Sequence, residues 1–133
     1  MSNHANYNNN GLLFSGIAAI HVITVEDASG DYDFSVPTDC FIALAWFFKT
    51  GNTGGVDDTV QLKSVTRIGD VSNVSDPQSL EGTTIGSLIA FPNVNMAAAL
   101  LEEKGLIRVS AIKTSDSVSG VMVILVAPRQ IVQ

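Results

Sequence analysis

Charge is scarce in this chain: Asp, Glu, Lys and Arg make up 15% of its 133 residues, against roughly 25% in an ordinary soluble domain. A surface so poor in charge is covered by Ser, Thr, Asn and Gly or is buried against partners. The seven Lys and Arg are scattered and outnumbered by thirteen Asp and Glu, for a net charge of −6. Phosphate-backbone binding draws its affinity from clustered cations, so no direct contact with nucleic acid is expected. A single cysteine, Cys40, rules out an internal disulfide, and its position ahead of an apolar run marks a buried, inert thiol. No apolar run reaches the ~18 residues of a membrane span, and the N-terminus lacks the charged-then-apolar order of a signal peptide. Synthesis in a cytoplasm and no contact with membrane are therefore expected.

Reactive residues are equally sparse. The two histidines are His4 and His21, too few for the cluster of His and carboxylate ligands that a metal centre on neighbouring strands requires. A serine nucleophile would have only His21 as a histidine base, and no Gly-x-Ser-x-Gly occurs. The glycine-rich stretch 51–55 lacks the Gly-Lys-Ser/Thr ending of a phosphate loop and reads as a hairpin loop. Asp57 and Asp58 beside it lack the spaced oxygen ligands of a calcium loop. They read as solvated carboxylates, as do the pairs Asp31/Asp33 and Glu102/Glu103. No enzyme, cofactor or metal is expected, and His21 reads as a polar-face or core histidine.

What the chain has is strands. Residues 106–129 organise the reading: Ile107, Val109 and Ala111 alternate with Arg108 and Ser110, then Thr114, Ser115, Asp116 and Ser117 supply a turn, and residues 121–126 are apolar on both faces. This predicts a β-hairpin whose second strand, halted by Pro128, needs cover on both sides. Earlier strands are predicted over 17–26, 32–36, 40–48, 59–65 and 85–91. In 40–48 the bulky residues Ile42, Leu44, Trp46 and Phe48 are expected on one face, with alanines interrupting the other. Trp46 and Ile124 are expected to carry stability, and Trp46 reads as core or interface. The one credible helix runs over about 95–104, some three turns long, capped by Asn95, rich in Ala and Leu, and ended by a left-handed Gly105. Several short strands with one helix describe an all-β sandwich, because the connections are too short for parallel βαβ units. Residues 1–10, with five asparagines and one aromatic, bury too little to order alone and read as an extended N-terminal arm; residues 11–133 form a single domain.

The order of pieces from Trp46 onward resembles the small jelly-roll-like head decoration, or cement, proteins of tailed bacteriophages. The likeness rests on an apolar strand followed by Lys49-Thr50-Gly51, the strand Asp58-Thr59-Val60-Gln61-Leu62, a polar run to Ser79-Leu80, the Ala/Leu-rich segment 97–101, and Gly105-Leu106-Ile107-Arg108-Val109-Ser110 before a valine-rich strand ending near Arg129. It covers about two-thirds of the chain; Glu103-Lys104-Gly105 stands where the family often has a Gly pair, and the helical segment is stronger. The resemblance implies a jelly-roll-like β-sandwich and a structural role: homo-oligomers, commonly trimers, on the outer surface of a virion capsid, bridging major capsid proteins. The runner-up is a lectin-like or receptor-binding module of a viral tail or fibre. For the interface, Trp46, Phe48, Val123 and Leu125 in the two-faced apolar runs are the candidates, with Tyr7, Asn8, Asn9 and Asn10 of the arm.

Overall fold

Burial with a period of two runs through each long strand of the computed structural model, which describes residues 18–92 and 95–129. Strand β1 (Ala19–Val25) buries every second side chain, as do β9 (Leu106–Ile112) and β10 (Gly120–Pro128). The others are β2 (Gly30–Ser35), β3 (Cys40–Lys49), β4 (Thr59–Val65), β5 (Val71–Asn73), β6 (Gln78–Ser79), β7 (Leu88–Ala90) and β8 (Leu100–Leu101), with one helical turn, α1 (Met96–Ala99), before β8. All pairings among them are antiparallel.

The first sheet has the order β1–β10–β3–β7, with β8 also on β3; the second has β2–β9–β4–β5, with β6 also on β4. The chain crosses between the sheets from β1 to β2, β2 to β3, β3 to β4 and again from β9 to β10, which is the winding of a jelly roll. The fold is thus an all-β sandwich with one short helix. Its core lies between the sheets, where Ile42, Phe47, Met122, Ile124 and Val126 meet Val60, Leu62, Ile107 and Val109. The arm and its residues Tyr7, Asn8, Asn9 and Asn10 lie outside the described residues.

Three local expectations are corrected. Strands β9 and β10 do not form a hairpin. β9 pairs with β2 and β4, whereas β10 pairs with β1 and β3, so the polar stretch between them crosses from one sheet to the other. The chain does bend at Thr114 to Asp116, where a turn is predicted, but the hydrogen bonds that aim it come from a distant residue, Asp58, described below.

The second correction concerns β3. Leu125 pairs with Leu44 but Val126 pairs with Ile42, so Ala43 is an extra residue, a β-bulge that shifts the alternation. Ile42 faces the core, while beyond the bulge Ala45, Phe47 and Lys49 face inward and Leu44, Trp46 and Phe48 face outward. The third is the helix. Asn95 caps it through a bond from the Ala98 N–H, yet Leu100 is already extended, at φ −85° and ψ 125°. Pairing of Leu100 and Leu101 with Phe41 and Cys40, and burial of Leu101, outweigh the helix preference of the Ala/Leu run. The left-handed residue is Lys104, at φ 72°, not Gly105. Gly105 is needed for a different reason: a Cβ there would lie 3.0 Å from the carbonyl oxygens of both Glu102 and Val65.

Candidate interaction surface

The bulge gives the first sheet two apolar faces. Its outward residues fall into three cross-strand rows: Thr24, Val121, Phe48 and Leu88; then Val22, Val123, Trp46 and Ala90; then Ile20, Leu125 and Leu44. Neighbours in such rows touch across the ladder. None of these residues is charged, and Ile20, Val22, Leu44, Phe48 and Leu88 are 52%, 57%, 56%, 41% and 59% exposed. The sequence candidates Trp46, Phe48, Val123 and Leu125 are therefore brought together, with Trp46 in the central row beside Val123. Sequence reasoning missed Ile20, Val22 and Leu88, because an apolar residue on an edge strand looks the same whether it faces core or solvent.

The second sheet turns the opposite chemistry outward. Asp31, Ser110 and Gln61 form one row, and Asp33, Arg108, Lys63 and Asn73 another. Arg108 holds Asp33 with two bonds, from Nε at 2.8 Å and from Nη2 at 3.0 Å. Its Nη1 lies 3.5 Å from Asp31, whose carboxylate also accepts from Ser110 Oγ at 2.6 Å. This is a face built for water; the first sheet's outer face is not.

In the loop that follows β3, Asp57 and Asp58 part company. Asp57 is exposed. Asp58 is fully buried, which corrects its reading as a solvated carboxylate. It accepts five backbone N–H bonds, from Gly55, Thr114, Ser115, Asp116 and Ser117 at 2.7–3.0 Å. Burial pushes the Asp58 carboxyl up, but the N–H groups of Ser115, Thr114, Gly55 and Asp116 outweigh it and hold the group well below the usual carboxylate range.

Lys49, turned inward by the bulge, is buried beside this knot. Its ammonium donates to the carbonyls of Thr50 and Asn52 and to Ser117 Oγ. Burial lowers its pKa, against the pull of Asp27 and Asp58. Ser117 Oγ sits 3.0 Å from both Lys49 Nζ and Ser119 Oγ, the spacing of a nucleophile and its base. Ser117 and Lys49 are, however, each only 1% exposed, so what the arrangement does is fasten the crossing to β3. Among the described residues no group of three or more His, Cys, Asp or Glu is placed to hold a metal ion. Cys40 is buried, and burial, with Asp39 nearby, pushes its thiol up to about 12.

His21 faces the core from β1, 1% exposed, its ring 4.1 Å from that of Phe34. Burial lowers its pKa below 6.5. The unfolded chain therefore binds more protons than the folded one between the two values, so this contribution to stability is full above about pH 6.5 and is lost as pH falls toward the folded pKa. Chemical denaturation at pH 7.5 and 5.5 should show the loss, and His21→Leu should show a smaller difference between the two.

No family model and no curated protein matches the chain. Among solved structures it is similar to one described as "Structure of infectious bursal disease virus Gx strain", with a TM-score of 0.36 and 14% identity. The match covers 81% of this chain and 32% of that one. A likeness so loose bears on neither family nor function.

Proposed function

We propose that this protein is a structural virion component: a capsid decoration, or cement, subunit that seats on the outside of a phage head and stabilises the shell by bridging major capsid proteins. The observation that carries the reading is the uncharged three-row face of the first sheet, a surface suited to permanent assembly. Two features agree with it. The sequence resembles the jelly-roll-like decoration proteins from Trp46 onward, and the buried polar groups Lys49, Asp58 and Ser117 are bonded within the chain. In this reading the protein acts as a homo-oligomer, commonly a trimer in the decoration proteins it resembles, whose copies pack through that face to cover and clamp the shell, and no residue is assigned a catalytic role.

Mixing the purified chain with undecorated heads tests it. Binding should saturate at hundreds of copies per particle, should resist EDTA, and should raise the temperature at which the heads release DNA. No binding, or binding that EDTA abolishes, would sink the reading; a handful of copies confined to the tail would favour a receptor-binding module instead.

A further inference from the structure

We propose that the crossing between β9 and β10, together with Gly55, is a carboxylate-binding site that the chain fills with its own Asp58. The loop after β3 is then a tethered ligand, and a small free carboxylate can take the place of its side chain. The donors of the crossing carry this reading. The N–H groups of Lys113 to Ser119 all go to side-chain oxygens: Lys113 to Ser29, Thr114 to Ser117 to Asp58, Val118 to Asp27 and Ser119 to Ser117. A segment bonded in this way takes its shape from what it binds, since neither a ladder nor a helix sets it. The four groups that reach Asp58 are consecutive, and successive N–H groups turned to one point make a concavity for an anion.

The arrangement of the donors names the class of anion. Asp58 Oδ1 accepts from the N–H groups of Thr114 and Ser115 at 2.7 and 2.9 Å, with Thr114 Oγ1 at 3.2 Å. Oδ2 accepts from those of Gly55, Asp116 and Ser117 at 2.8, 3.0 and 3.0 Å. Two oxygens held by separate sets of donors suit a planar carboxylate, whereas a halide is a single point and satisfies one set. The approach is close. A Cβ on Gly55 would collide with Ser115 Oγ and lie 2.9 Å from Asp116 Oδ2, so glycine is what lets the loop and the crossing share one ligand.

Size makes the test specific. Asp58→Ala keeps Cβ and leaves the space of formate; Asp58→Gly removes Cβ as well and leaves the space of acetate. Urea unfolding of both variants is followed at neutral pH and fixed ionic strength in formate, acetate or chloride. A ligand that binds only the folded chain raises the folded-to-unfolded ratio roughly tenfold at ten times its Kd. Formate should do this for Asp58→Ala and acetate for Asp58→Gly, each well ahead of the other two anions. In a variant that starts out unfolded, the same preference appears as recovered sheet signal in far-UV circular dichroism. Wild type and Asp58→Asn, whose sites are occupied, should not distinguish the three salts. Hydrogen exchange of the wild type adds a measurement that needs no variant: the amides of Gly55 and of Thr114 to Ser117 should open with one common free energy, because all five are released when the carboxylate leaves. Equal responses to the three anions, a sheet signal that neither formate nor acetate restores, or five amides that open independently overturns the inference.

Discussion

Asp58→Ala should strip the protein of roughly 4 kcal/mol or more, enough to unfold a domain held by about 5–15 kcal/mol. The carboxylate accepts from Gly55 on its own loop and from Thr114, Ser115, Asp116 and Ser117 on the crossing between β9 and β10. Each bond to a charged acceptor contributes about 1.5–3 kcal/mol, and removing the acceptor strands the buried N–H groups of Gly55 and Ser117 together with three half-buried ones. Asp58→Asn should cost nearly as much, because its amide nitrogen cannot accept. Asp57→Asn is the control: an exposed residue at φ 64°, a conformation Asn tolerates, whose replacement should stay within about 0.5 kcal/mol. Urea unfolding at pH 7 of the three variants makes the measurement. Because the folded pKa of Asp58 is depressed, its contribution is full above about 3.8 and is lost as pH falls below that value. Acid unfolding in that range should therefore be blunted in any Asp58 variant that still folds. The loss attached to His21 sits at higher pH, so the two are separable.

Ile124→Ala should cost about 2–5 kcal/mol, since Ile124 is fully buried between the sheets and truncation leaves a cavity that close-packed neighbours fill poorly. Trp46→Ala should behave differently, although its residue pairs with the neighbouring Val123. The indole stands on the outer face, half-buried, so the change should cost the isolated fold about 1 kcal/mol while weakening assembly. A melt taken at two protein concentrations separates these outcomes, because an oligomer's melting temperature depends on concentration. Wild type and Ile124→Ala should shift with dilution; Trp46→Ala should shift little.

Much of the fold is legible in the residues. The alternation in 59–65 and 106–112, and the both-faced apolarity of 121–126, place strands within a residue or two of β4, β9 and β10. What cannot be read locally is pairing. Thr114 to Ser117 look like a turn between adjacent strands, yet the group that directs them to the opposite sheet is Asp58, 56 residues or more away in sequence. The bulge at Ala43 is similarly hidden, because Cys40 to Lys49 is apolar enough on both faces that either alternation fits until β10 is laid beside it. That one inserted residue decides which of two aromatic sets lies inside, and it converts Lys49 from an expected loop residue into a buried one. The candidate surface was half legible for the same reason: Trp46, Phe48, Val123 and Leu125 stand out as excess apolar residues in central strands, whereas Ile20 and Val22 join them only through the register of β1 on β10.

Trp46 is the chain's only tryptophan, and it lies in the central row of the face on which this account turns. Its fluorescence on dilution of the wild-type protein is the most direct test. The account predicts a blue-shifted emission at micromolar concentration that moves to the red as the protein is diluted, with the far-UV circular dichroism unchanged. Emission characteristic of a water-exposed indole at every concentration, up to hundreds of micromolar, would contradict it.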